Sequence, residues 1–179
     1  SASLTFEQSY QGIEGDSASS AELYALLSSL AEVEIYQGIA VTGSVNQNGE
    51  IQPVGGVNEK IEGFFKVCKE NQLDGRQGVI IPYQNIDNLM LDEEVIEAVK
   101  NKKFNVWAVT HIDEGLEILT GMPAGKKEDN GKFTPGSIHD RIDRKLEQWM
   151  SRLRMLPDKP ANSVPKPFPL PNTRRRPRR

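Results

Sequence analysis

Apolar residues recur along this chain with two periods, and the switches between them lay out its elements. Leu4 and Phe6 alternate with Thr5 and Glu7 as in a short strand, and residues 10–16, with Gly12 and Gly15, read as a loop leading to a first helix. Leu23, Leu26, Leu27 and Leu30 follow at i, i+3, i+4, i+7 and predict that helix as far as Ala31. Period two returns at Ile39, Val41 and Val45, interrupted by Gly43. Asn48-Gly49 predicts a type I′ hairpin turn, and residues 51–54 the returning strand, with Pro53 marking an edge or an end.

After Gly55-Gly56, the residues Val57, Ile61, Phe64, Phe65 and Cys68 line one side of a second helix. Val79-Ile80-Ile81, closed by Pro82, predicts an interior strand, and Leu91, Val95, Ala98 and Val99 a third helix. Phe104, Val106 and Ala108 share one face of a further strand, Trp107 and Val109 the other. Both faces are apolar, which predicts a central strand. Thr110 and Asp113 suit a helix start, Leu116 and Leu119 its body and Gly121 its stop. Strands alternating with helices predict an α/β fold, an α+β mixed sheet with some parallel pairing.

The pattern breaks after Gly121. Residues 1–121 read as one domain, and residues 122–136, polar with Gly and Pro, as a linker. Ile138, Ile142, Leu146, Trp149, Met150 and Leu153 make residues 137–156 an amphipathic helix. Residues 157–179 hold seven of the eleven prolines and no apolar period, as a disordered Pro/Arg-rich tail does. The net charge of -3 hides an asymmetry: from Leu156 onward the chain carries +6, and the rest carries -9. The Arg174–Arg179 cluster would attract phosphates and so suggests a nucleic acid or another acidic partner, or a merely solvated tail. The chain begins at Ser1, as a shortened or processed piece does. It shows no run of apolar residues long enough to span a membrane and no signal-peptide pattern. Cys68, the single cysteine, lies on the apolar side of its helix as a buried structural thiol, and fits a reducing, cytoplasmic compartment.

Candidate chemistry narrows quickly. His111 and His139 are the only histidines and have no partners at metal-ligand spacing, so no metal is expected. His111 reads as structural at a strand end and His139 as a residue of a surface helix. Gly121 to Lys127 is one residue short of a phosphate loop, lacks its Ser/Thr and follows a helix, so no nucleotide cofactor is expected in this chain. Residues 14–20, Glu-Gly-Asp-Ser-Ala-Ser-Ser, remain. They open into the first helix, and Ser19 with Glu22 fits a capping box. Ser17 would place a hydroxyl at the positive end of that helix, where backbone N–H groups hold an oxyanion well. Capping alone would also explain these serines. A serine nucleophile needs a base. Lys60 falls at the border of the second helix's apolar stripe, partly buried, where a lysine either snorkels or is desolvated enough to act as one.

Three ordered blocks then resemble the proteolytic domain of Lon proteases, ATP-dependent serine peptidases. They are Glu14-Gly15-Asp16-Ser17-Ala18-Ser19, similar to the archaeal-type Lon B serine motif; Val41-Thr42-Gly43-Ser44 with the Gly49 hairpin; and Pro53-Val54-Gly55-Gly56-Val57-Asn58-Glu59-Lys60. Val79-Ile80-Ile81-Pro82 looks like the family's following strand. The likeness covers residues 1–121 and is nearest a bacterial Lon-homologue subgroup. It implies a Ser17–Lys60 dyad, with Thr42 orienting the lysine amine and Asp16 beside the site, where in archaeal-type relatives that position can contact the lysine. It implies an oxyanion hole from the backbone N–H of Ser17 and its neighbours. It also implies protein or peptide substrates, a six-membered homo-oligomeric ring, and an upstream AAA+ region through which ATP acts. The resemblance finds neither the family's first strands nor its ATPase region within this sequence, which would then be a domain lacking its first strands. A non-catalytic assembly or docking module of the same fold is therefore the alternative reading.

Overall fold

The structure is a computed structural model that describes residues 16–154. The expected strand at Leu4 and Phe6, most of the loop after it and the basic tail lie outside the described residues. In order the elements are α1 (Ser19–Ala31), β1 (Ile39–Val41), β2 (Ser44–Val45), β3 (Ile51–Gln52), α2 (Val57–Glu70), β4 (Gly78–Pro82), a 3-10 helix (Tyr83–Asn88), α3 (Glu93–Lys100), β5 (Asn105–Val109), α4 (Ile112–Thr120) and α5 (Ile138–Arg154).

The parallel and antiparallel pairings form two separate sheets. β1, β4 and β5 make a parallel sheet in the order β1-β4-β5, with Val41 opposite Ile80 and Ile80 opposite Trp107. β2 and β3 make an antiparallel hairpin, Val45 opposite Ile51. β4 is the central strand, and all five of its residues are buried. Among the described residues β5 pairs with β4 alone. Its two faces are apolar because helices cover both.

Side-chain alternation divides the core between the two faces of the parallel sheet. Phe104, Val106, Ala108, Val79 and Ile81 pack with Val57, Ile61, Phe65 and Cys68 of α2 and with Val95 and Ala98 of α3. Trp107, Val109, Ile80, Ile39 and Val41 pack with Tyr24 and Ala31 of α1, Leu116 and Leu119 of α4, and Ile138 and Ile142 of α5. The buried line of α1 is Ser20, Tyr24 and Ala31, with Leu27 and Leu30 packed beside it. The leucine stripe read from the sequence is thus rotated, and Leu23 and Leu26 are only half-buried.

Two local expectations change. The hairpin turn is not type I′, because only Gly49 has a positive φ, at 83°. Asn46 pairs with Glu50, and Gly49 N–H donates to Asn46 O at 3.1 Å, leaving Gln47, Asn48 and Gly49 as a three-residue loop with glycine in the left-handed position. The capping box at Ser19 does not form. The cap residue of α1 is Ala18, and Ser19 Oγ instead accepts from Val45 N–H at 3.1 Å.

Residues 122–136 contain no helix or strand, yet they fold back on themselves through a bridge between Lys127 and Phe133. Ala124 within them is buried. α5 packs on α1 through its first turns, while Leu146, Trp149, Met150 and Leu153 further along are exposed. No helix of the described residues is long and apolar enough to cross a membrane.

Candidate active site

The start of α1 is stitched to the kink between β1 and β2. There the chain leaves the parallel sheet at Thr42-Gly43 and enters the hairpin at Ser44. Gly43 N–H donates to Ser17 O at 2.9 Å, and Ser20 N–H donates back to Gly43 O at 3.2 Å. The buried Ser20 Oγ donates to the same carbonyl at 2.7 Å. Ser44 Oγ donates to Asp16 Oδ2 at 2.8 Å. The small residues of both stretches let two backbones approach this closely, and their hydroxyls satisfy polar groups that would otherwise be buried unpaired.

This stitching sets Ser17 in the turn just before α1, half-buried, at the rim of a cleft of about 220 Å³. Ala18, Ala40, Val41 and Val79 supply apolar walls, and Thr42 and Lys60 line the same cleft. Thr42 is buried, and its N–H donates to Ile80 O at 3.0 Å. Its Oγ1 accepts from Lys60 Nζ at 3.1 Å. Three side chains from three elements, Ser17, Thr42 and Lys60, therefore share one cleft.

Lys60 is exposed, which fits the snorkelling alternative. Its amine reaches Thr42 from the first turn of α2. Asp16, also exposed, accepts from Ser44, while the Lys60 ammonium donates to Thr42. The N–H groups of Ser19 and Ser20 at the start of α1 are engaged, by Asp16 O at 2.9 Å and Gly43 O at 3.2 Å.

The histidines are placed away from this cleft. His111 caps α4: its Nδ1 accepts from Asp113 N–H at 3.3 Å, and its Nε2 lies 3.1 Å from Asn48 O in the hairpin. A neutral ring with its proton on Nε2 satisfies both contacts. Thr110, read as the helix start, instead donates its N–H and hydroxyl to the Glu114 carboxylate at 2.8 and 2.9 Å. His139 is not on an open surface. Its side chain is 19% exposed, and Nε2 pairs with Asp113 Oδ1 at 2.7 Å, joining α5 to α4. Cys68 is buried, and burial, helped by Asp74, pushes its thiol above the ordinary range. Among the described residues no three His, Cys, Asp or Glu side chains are grouped to hold a metal.

The sequence gives no notice of Asn85. It lies in the 3-10 helix, where no periodicity exists, and its buried amide is bonded to the backbone of Val54. A short polar stretch after a proline marks a turn, but it does not say which amide turns inward.

Comparison with known proteins bears on the same residues. The model of the Lon protease (S16) C-terminal proteolytic domain matches residues 11–121. A Lon protease homolog of Escherichia coli K12 is 56% identical over 122 residues, 68% of this chain and 21% of that protein. A Lon protease homolog of Haemophilus influenzae is 45% identical over 147 residues, 82% of this chain and 24% of that protein. An archaeal Lon protease of Pyrococcus abyssi is 38% identical over 125 residues, 70% of this chain and 11% of that protein. The chain thus spans about a fifth to a quarter of the length of its bacterial relatives. A match of 147 residues in a chain of 179 also extends beyond residue 121 and into α5. With the serine turn, the strand kink and the start of α2 all inside the matched stretch, the chain belongs to the family of Lon protease C-terminal proteolytic domains.

Proposed function

We propose that this chain is the proteolytic domain of an ATP-dependent serine endopeptidase that works through a Ser17–Lys60 dyad. The supporting observation is the shared cleft: Ser17 and Lys60, forty-three positions apart, line it together, and the lysine amine is held by Thr42 Oγ1 at 3.1 Å.

In this reading Ser17 Oγ attacks the carbonyl carbon of the scissile peptide as its proton passes to the neutral amine of Lys60. The oxyanion draws on the N–H groups of Ser17 and Ala18, since those of Ser19 and Ser20 are already engaged. Lys60 returns the proton to the departing amine, leaving an ester on Ser17. Water then attacks the ester, giving its proton to Lys60, which passes it to Ser17 Oγ as the C–O bond breaks, so the N-terminal half of the peptide leaves as a carboxylic acid and Ser17 is restored. The exposure of Lys60 assigns a further task to the substrate: a peptide seated in the cleft excludes water from the amine. ATP acts through an upstream AAA+ region, the domain assembles as a homo-oligomeric ring, and the protein works in the cytoplasm on protein or peptide substrates.

The test is peptide cleavage by the full-length protein carrying Ser17→Ala or Lys60→Ala. Each is expected to lose roughly 10³-fold or more in kcat. Activity within tenfold of the parent in either variant overturns the dyad. The exposure of Lys60 also favours a second reading, a non-catalytic docking module of the same fold. Stoichiometric labelling of Ser17 by a serine-directed covalent probe eliminates that reading.

A further inference from the structure

The 3-10 helix Tyr83–Asn88 takes no part in the chemistry above, yet it carries Asn85, a polar side chain only 9% exposed. Asn85 makes both its amide bonds to one residue. Val54 N–H donates to Oδ1 at 3.1 Å, and Nδ2 donates to Val54 O at 2.9 Å. Val54 stands just before the Gly55-Gly56 turn that opens α2. Asn58, in the first turn of α2, makes a matching pair to the far end of the same segment. Its Nδ2 donates to Asn88 O at 3.3 Å, and its Oδ1 accepts from Met90 N–H at 3.0 Å. Two planar amides thus bracket the start of a helix whose own cap residue, Gly56, provides no side-chain cap.

Lys60 lies two residues beyond Asn58, and its N–H donates to Gly56 O at 3.2 Å. Any slide or rotation of that first turn carries Nζ away from Thr42. The bracket is tied to the parallel sheet, because the 3-10 helix follows directly from Pro82 at the end of β4. Thr42 is tied to the same strand, its N–H bonded to Ile80 O at 3.0 Å. One central strand is therefore the common reference for both members of the Lys60–Thr42 contact. The Asn58 pair holds the first turn of α2 itself, and the Asn85 pair holds the chain that leads into it.

We infer that Asn85 and Asn58 are positioning residues that hold the first turn of α2 so that Lys60 meets Thr42 at the cleft. This rests on the reading of Lys60 as the base. The full-length protein is assayed for peptide cleavage as Asn85→Asp, which keeps the acceptor and the size but loses the donor, and as Asn58→Ala at a half-buried position that tolerates truncation. Asn105→Ala is the control. Asn105 Nδ2 clamps backbone in the same manner, to Gly75 O at 2.9 Å and Gln77 O at 3.1 Å, but at the opposite end of the sheet.

The expected result is a fall in kcat of about 10- to 100-fold for both variants, with KM within about twofold. Asn105→Ala is expected to lower Tm at least as much and to leave kcat within about twofold. Unchanged kcat in Asn58→Ala overturns the inference, as does an equal loss of kcat in the control. Lys60→Ala in the same assay separates the failures. If it is inactive while Asn58→Ala is normal, the inference fails and the dyad stands. If it is active, the dyad fails and the inference with it.

Discussion

The starts of α1 and α2 meet at one cleft and are fixed by opposite means. That of α1 is stitched to the β1–β2 kink by contacts that duplicate one another: Gly43 O receives both the N–H and the hydroxyl of Ser20, and Gly43 N–H is bonded to Ser17 O as well. That of α2 is bracketed by two amides, Asn85 of the segment after β4 bonded to Val54, and Asn58 of α2 itself bonded to Asn88 and Met90. A duplicated attachment absorbs the loss of one bond, whereas a bracket transmits it. The serine side of the cleft should therefore fail only through gross insult, and the lysine side through subtle change.

The sharpest way to break this contrast is steric. A Cβ at Gly43 would lie 3.2 Å from Ile51 Cγ2 and 3.4 Å from both Pro82 Cγ and Ser20 Oγ. Gly43→Val puts a branched side chain there and is expected to cost about 2–3 kcal/mol by denaturant unfolding. An unchanged midpoint would mean that the stitch is loose. The next effect has the opposite sign. Tyr24 is buried with its hydroxyl unpartnered among the described residues, and burial, then the Glu114 and Asp113 carboxylates, hold its ionisation well above the usual phenol range. Tyr24→Phe removes that hydroxyl and should stabilise α1's seat by about 1 kcal/mol, seen as a raised Tm.

Ser20→Ala tests the duplication itself. Ser20 N–H still serves Gly43 O, so the expected cost is about 0.5–1 kcal/mol, with kcat within about threefold of the parent. A large fall in kcat would place the two helix starts on the same footing. The smallest effect lies at the other end of α1, where Lys145 on α5 pairs with Glu32 and, first by hydrogen bond and then by charge, holds that carboxyl below its ordinary value. A depressed folded value gives a contribution that is present above about pH 4.5 and is lost as pH falls through the folded value. The stability difference between the parent and Lys145→Met should therefore be small at pH 7, shrink with salt, and fade as pH drops below 4.5 and through the lowered folded value.

Strand faces were legible because alternation is a local rule. Phe104, Val106 and Ala108 pack on one side of the sheet, and Trp107 and Val109 on the other, as their spacing requires. Strand order was not legible, since helices covering both faces give a strand two apolar sides whatever its neighbours are. The helix stop was legible at Gly121, but the caps at Ala18 and His111 were not: Ser19 has a tertiary partner in Val45 that no local rule foresees, and the Glu114 carboxylate turns back within its own first turn to Thr110. Periodicity gave the angle of Lys60 but not its exposure, which depends on where the helix sits over the sheet. Its partner Thr42 came only from resemblance, since nothing in either residue's surroundings announces a contact eighteen positions away.

α5 has a practical consequence for anyone cutting this chain. The family-matched stretch ends at residue 121, yet Ile138 and Ile142 lie in one apolar cluster with Tyr24 and Leu116. A fragment trimmed to the family boundary would strip a wall from α1, the helix whose first turn follows Ser17. Such a fragment should be prone to aggregate, and its silence in a peptidase assay would report the missing wall before it reported any chemistry.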